Sequence, residues 1–268
     1  MMRRALPVLL LAFASGCATY LDDAMARPPI YEARGEPRYA PAQAQQVLKG
    51  IFQDTKHFDT ELYEHRIGPV SIRFLPKKLD PNHPWIKAMG GDSRREIMDQ
   101  YEALPPASCQ VRTAEERFLT GDPHHRIAAL FPREEEARKF ADAIYAMKAF
   151  AATCSKPEPA ESWKAFEAQL PVWKGKKDLP EEARRHFAVA QSAMDEKRLE
   201  DAVFAFEEGL ALAPWYADGH FNAALVCGEL ECWGLAVRHM RRHLALMSEG
   251  PEARAARDKL YVWEEKLK

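Results

Sequence analysis

The chain has no Cys-x-x-Cys pair, no Gly-x-Ser-x-Gly elbow, no Gly-Lys-Ser/Thr phosphate loop, no Gly-x-Gly-x-x-Gly turn and no calcium-loop pattern. Thioredoxin-like redox chemistry, serine hydrolysis on a strained turn, nucleotide binding and EF-hand calcium binding therefore have no sequence support. No apolar run approaches the roughly 20 residues that a bilayer-spanning helix needs. Charge of one sign is missing too: 38 basic residues stand against 40 acidic ones, a formal charge of −2, which gives no overall footprint for nucleic acid. What is present is 268 residues with 47% hydrophobic content, enough for one or two domains with real cores.

The amino terminus has the three-part layout of a secretory signal: a positive start over residues 1–4, an apolar core over 5–14, then small residues leading into a cysteine. Ala14-Ser15-Gly16-Cys17 resembles the lipobox of bacterial lipoproteins, with Ala14 where that family usually has leucine. The resemblance implies cleavage after residue 16, acylation of Cys17 (palmitate among the acyl groups) and a membrane anchor on two or three chains, since each buried methylene contributes about 0.8 kcal/mol. Ala18, where an aspartate is absent, resembles the outer-membrane sorting pattern and implies a protein facing the periplasm. An ordinary signal peptide, or a retained apolar helix, stays open as the other reading. Cleavage would remove Arg3 and Arg4 and leave 36 basic against 40 acidic residues, or −4.

Setting Cys17 aside leaves Cys109, Cys154, Cys227 and Cys232, an even number that an oxidising compartment permits to pair. Of the three connectivities, proximity in sequence favours 227 with 232 and 109 with 154; small buried thiols are the competing reading.

Residues 17–44 contain four prolines after Cys17 and no sustained apolar period, so they read as a flexible tether. Residues 45–154 read as an α+β domain. Val47, Ile51 and Phe58 have loose helical spacing through "AQQVLKGIFQDTKHFDTELYEHR", and Val70, Ile72 and Phe74 alternate as in a half-buried strand. A loop rich in proline and glycine follows, then "REIMDQYEALPP" as a short helix, then "ERFLT" and "RIAALF" as strands about the turn Gly121-Asp122-Pro123. The next helix has Pro132 in its first turn, Glu134 to Glu136 at its positive end, and a stripe of Ala137, Phe140, Ala141, Ile144, Met147 and Phe150. Over some 30 residues this strand and helix look a little like the last strand and closing helix of pleckstrin-homology-like domains, which implies a fold and no ligand. Residues 155–180 read as a linker with a short helix near 163–170, interrupted by prolines 157, 159, 171 and 180.

Residues 181–268 read as an all-α domain built on a repeat. Shifting Ala183–Pro214 by 34 positions onto Ala217–Ser248 gives nine identities in thirty-two, among them His186/His220, Phe187/Phe221, Ala190/Ala224 and Ala202/Ala236. The first copy resembles a tetratricopeptide (TPR) repeat, with that family's small, small, aromatic, small and proline positions on Ala190, Ala202, Phe206, Gly209 and Pro214. The second keeps Ala224 and Ala236 but has Met240, His243 and Ser248 at the last three. Ala253, Ala256, Leu260, Trp263 and Leu267 then form one face of a capping helix. Two repeats fall below the usual three, so the unit leans on the preceding domain or on a second copy of itself.

The resemblance implies a peptide-binding groove lined by the first helix of each repeat, hence by Arg184, Phe187, Gln191, Asp218, Phe221 and Leu225. Other chemistry finds weaker footing. His239 and His243 stand one helical turn apart, as two metal ligands can, but Met240 replaces a zincin glutamate and the repeat places His243 at a packing position, so no metal is assigned. His124-His125 reads as turn polarity, "AMGGDSRRE" as a loop, and Arg238, Arg241 and Arg242 as a solvated basic face. The expectation is a membrane-anchored, non-enzymatic adaptor or scaffold of the bacterial cell envelope, without cofactor or nucleic acid, whose partner is a peptide or protein. The alternatives are an envelope enzyme or metal-binding protein with its site in residues 45–154, and an assembly factor acting by self-association.

Overall fold

The computed structural model describes residues 31–53, 62–89, 94–101, 104, 108–112, 117–120, 129–131, 133–247 and 251–268. Cys17, Phe58, the His124-His125 pair and the glycines of "AMGGD" lie outside them. The chain divides into two compact units, one of residues 1–67 and 71–148, the other of residues 68–70 and 149–268.

The first unit combines helices with two antiparallel sheets. Strand β1 (Tyr31–Glu32) precedes helix α1 (Pro41–Gln53), which starts on a proline and buries Ala44, Leu48 and Phe52 at helical spacing. Gln45 is buried beside them and its Nε2 donates to the Ile67 carbonyl at 2.9 Å. Strands β2 (Tyr63–Ile67), β3 (Ser71–Pro76) and, after the short helix α2 (Pro84–Met89), β4 (Ile97–Gln100) form a three-stranded sheet in the order β2-β3-β4. Strands β5 (Ser108–Arg112), β6 (Arg117–Thr120) and β7 (Ala129–Phe131) join β1 in a four-stranded sheet, order β1-β5-β6-β7. Helix α3 (Glu134–Cys154) closes this half, and its expected stripe is buried, with Ala137, Phe140, Ala141 and Met147 fully so.

Three expectations are corrected here. "REIMDQYEALPP" does not open a helix: 97–100 pair with 71–74, and burial alternates, with Met98 outward and Asp99 and Tyr101 inward. Pairing to β3 outweighs the weak helix preference of so short a window. Likewise 63–67, within the segment read as helical, is strand β2 because it pairs along its whole length with β3. The tether does not reach residue 44. Tyr31 pairs in register with Cys109, its hydroxyl donates to Asp142 Oδ1, Arg38 reaches Asp142 Oδ2 at 3.2 Å, and Ala33 is buried.

The second unit is helical apart from residues 68–70. It takes the last turn of α3, then α4 (Ala160–Trp173), α5 (Glu181–Asp195), α6 (Leu199–Leu212), α7 (Ala217–Glu229), α8 (Trp233–Leu246) and α9 (Pro251–Lys266). The segment read as a linker thus holds a full helix, α4, with Pro171 inside its last turn, where only one backbone bond is forfeited.

Helices α5–α6 and α7–α8 are two hairpins whose turns repeat at the 34-residue shift. Lys197 and Glu231 both take φ +57°. Arg198 N bonds Ala193 O at 2.8 Å, and Cys232 N bonds Cys227 O at 2.9 Å. Ala190, Ala224, Ala202 and Ala236 are all fully buried at the helix contacts. Where the first hairpin seats the Phe187 ring over Gly209, with room for no Cβ, the second has Phe221 in tilted contact at 5.0 Å with His243, whose Nδ1 lies 3.0 Å from Ala217 O. The departure at His243 is therefore accommodated by a hydrogen-bonded ring in contact with Phe221. Helix α9 buries Ala253, Ala256, Leu260 and Trp263, the Trp263 ring lying over Gly228.

The cysteine pairing is also corrected. Cys154, the last residue of α3, is bonded to Cys232 at the start of α8, and Cys227 is a buried free thiol. Cys227 is buried on α7, while Cys232, five residues on and past the left-handed Glu231, is bonded to the end of α3. Proximity in sequence does not bring these two thiols together.

Candidate functional site

The second unit carries two functional candidates, a buried polar chain and an exposed helical face. The buried chain starts on α6 with Glu207. Arg238 Nη2 donates to both Glu207 oxygens at 2.7 and 2.8 Å, and His239 Nε2 stands 2.6 Å from Glu207 Oε1. His239 Nδ1 lies 3.0 Å from His220 Nδ1, and His220 Nε2 lies 3.0 Å from the Pro214 carbonyl. Both histidines are 1% exposed, whereas the Glu207 side chain keeps 26%.

Electrostatics follow from that layout. Burial pulls the Glu207 carboxyl up, but Arg238 and His239 outweigh it and hold it well below the usual carboxylate range. Burial pushes His220 well down, reinforced by His239, and pushes His239 down against the opposing pull of Glu207. Burial, with Glu207, drives the Cys227 thiol up, so it is inert rather than a nucleophile.

A carboxylate, a histidine and a second histidine in line have the form of a proton relay. This one ends on a main-chain carbonyl, not on a hydroxyl or a reactive thiol, so it has the parts of a fastener rather than of an acyl-transfer site. Beside it, Arg242 pairs with the buried Glu158 and reaches Ser162 Oγ at 3.2 Å, its guanidinium lying 4.7 Å from the Phe166 ring.

His239 and His243 do not share a ligand: one meets Glu207 and His220, the other the Ala217 carbonyl. Among the described residues no group of three or more His, Cys, Asp or Glu side chains is arranged to hold a metal ion. Of the arginines read as a solvated face, Arg238 and Arg242 are mostly buried in ion pairs, and Arg241 pairs with Glu264 at its more exposed position.

The six groove candidates divide by exposure. Arg184, Gln191 and Asp218 are exposed, Arg184 paired with Glu181 and Gln191 bonded to Asp195 at 3.0 Å. Phe187, Phe221 and Leu225 are half-buried. Phe187 is a wedge among three helices: its ring lies 4.8 Å from that of Tyr216, and it occupies the space of a Cβ on Gly209 and crowds one on Gly219.

The polar chain was not visible in the sequence. One signal pointed that way: the shift of 34 sets His239 against Ala205, a buried position where a titratable residue needs a partner. Comparison with known protein families, with curated proteins and with solved structures finds no match for this chain.

Proposed function

We propose that the protein is a lipid-anchored adaptor of the bacterial envelope, held by Cys17 and binding a peptide or protein partner along the first helices of two TPR-like hairpins. The observation that carries this reading is the repetition of turn geometry, buried alanines and capping helix at 34 residues, with polar residues of α5 and α7 left exposed along one register. Arg184, Gln191 and Asp218 supply charge and hydrogen bonding there, and the half-buried rings of Phe187 and Phe221 supply apolar contact. The Cys154–Cys232 disulfide supports an oxidising compartment, as an exported protein meets. The α+β unit in this reading presents a second surface; its pleckstrin-homology-like character is part of the proposal.

The test uses the full chain in a bacterial host, with a photo-crosslinking residue at 191 or 218 and a control at the exposed Lys259 of α9. The reading expects one discrete adduct from the first two positions and none from 259, lost on Arg184→Glu with the helical signal unchanged. Equal adducts from all three positions, or none, would remove the groove. An intact mass showing a diacylglycerol-sized addition at a mature Cys17, absent in Cys17→Ala, tests the anchor separately.

A further inference from the structure

The buried chain has three contacts along its length, each needing one proton, and Arg238 Nη2 stands beside it at 3.3 Å from His239 Nε2. The Pro214 carbonyl can only accept, so His220 Nε2 carries hydrogen across that 3.0 Å contact. One hydrogen lies in the 2.6 Å contact between His239 Nε2 and Glu207 Oε1. The facing Nδ1 atoms, 3.0 Å apart, need one more, because two bare ring nitrogens repel at that distance. Two neutral imidazoles and a carboxylate bring two protons in all.

We infer that the folded protein binds a third proton in the Glu207–His239–His220 chain, and that this proton fastens α6 of the first hairpin to α7 and α8 of the second. The count is the same whether His239 is an imidazolium against the Glu207 carboxylate or a neutral ring against its acid form, since coupled groups titrate as one. The packing of one hairpin on the other thereby becomes proton-dependent. This inference stands on the hairpin contacts alone and does not require the adaptor reading.

The groups around the chain set the balance. Arg238 and Arg242 of α8 oppose a further positive charge, as does burial. Glu207 of α6 favours it, and Glu158, ahead of α4, offsets Arg242 by pairing with it. Cys227 of α7 is uncharged, and the Phe166 ring of α4 meets His220 edge-on at 5.7 Å. Against the opposing charges stands the hydrogen bonding: without the third proton one buried contact turns from attraction to repulsion.

The sign follows from linkage. Unfolded histidines titrate near 6.5, so above about pH 7.5 the folded chain holds one proton that the unfolded chain has released. The folding constant then falls by up to about tenfold per pH unit as pH rises. Below about pH 6 the unfolded chain binds a proton on both histidines while the folded chain keeps one extra, so the constant falls on the acid side as well.

Denaturant unfolding of the full chain between pH 7 and 9, compared with His220→Phe, tests this. The variant leaves His239 Nδ1 without a facing nitrogen and needs no third proton, so the ratio of wild-type to variant folding constants should drop by roughly tenfold per pH unit. A ratio independent of pH overturns the inference. Should the variant not fold, nitrogen NMR of the wild-type histidine rings with carbon NMR of the Glu207 carboxyl decides: a hydrogen shared between the two Nδ1 atoms at pH 7.5 together with one on His239 Nε2 or on the Glu207 carboxyl supports the third proton, whereas two bare Nδ1 atoms, or a bare His239 Nε2 facing an ionised carboxyl, refute it.

Discussion

A Cβ placed on Gly234 would overlap the carbonyl oxygens of Thr153 and Lys156. The start of α8 and the end of α3 thus approach backbone to backbone, and only glycine permits it. Both obstacles are main-chain atoms, which a side-chain rotation cannot clear. Gly234→Ala should therefore cost about 2 kcal/mol or more, in the range of overpacked core substitutions, and separate Cys154 from Cys232. Thermal unfolding together with a free-thiol count on the purified variant checks both effects.

The Cys154–Cys232 bond closes a loop with sequence separation 78. On the chain-entropy estimate such a loop is worth about 4 to 5 kcal/mol, so Cys154→Ser should lower the denaturant midpoint substantially. Cys227→Ser, which breaks no covalent bond, should cost far less. Equal midpoints for wild type and Cys154→Ser would mean that packing alone holds α8 on the end of α3.

Among the described residues, Glu207 is the carboxylate to which both Arg238 and His239 are bonded. Glu207→Gln leaves a mostly buried guanidinium uncompensated, and should destabilise by about 3 kcal/mol. Replacing Arg238 by Met as well should recover part of that loss, because the stranded charge goes with it. A double-mutant cycle in urea gives the coupling directly.

His65 lies 5.0 Å from the Phe52 ring and 5.2 Å from that of Phe74, and burial with the nearby Lys77 pushes its pKa down to about 4. The folded form prefers the neutral ring, so its contribution is complete above about pH 6.5 and is lost as pH falls toward 4. The first unit should weaken over that window by on the order of 3 kcal/mol, and His65→Phe should flatten the loss. Hydrogen exchange of α1 amides across pH 4 to 7 in both proteins is the measurement.

Phe187 and Arg184 separate packing from recognition on one helix. Phe187→Ala empties the wedge over Gly209 and should cost about 3 kcal/mol. Arg184, exposed and paired among the described residues with Glu181, should as Arg184→Glu leave the midpoint within about 0.5 kcal/mol while abolishing the crosslink at 191. A large stability loss at Arg184 would mean that its face is packed rather than open.

Local periodicity made much of the fold legible. The stripe of α3, the strands at 117–120 and 129–131 and both helical hairpins follow from patterns shorter than one repeat. Segments 63–67 and 97–100 carry a helical local pattern yet are strands, because their windows are short and their state depends on β3. The six groove candidates could be located from the repeat register, but not sorted, since Phe187 and Arg184 sit three residues apart and differ only in what the neighbouring helices bring to them.

The sequence by itself determined the 34-residue period, because alanines recurring at 190, 202, 224 and 236 leave room for helices to touch at the same register in each copy. Only the tertiary structure decided which cysteines pair, which strands β3 recruits, and that Glu207, His220 and His239 meet. The cysteine and Glu207–His239–His220 contacts join residues separated by 19 to 78 positions, across turns whose left-handed residues at 197 and 231 reverse the chain, and no local pattern carries that information.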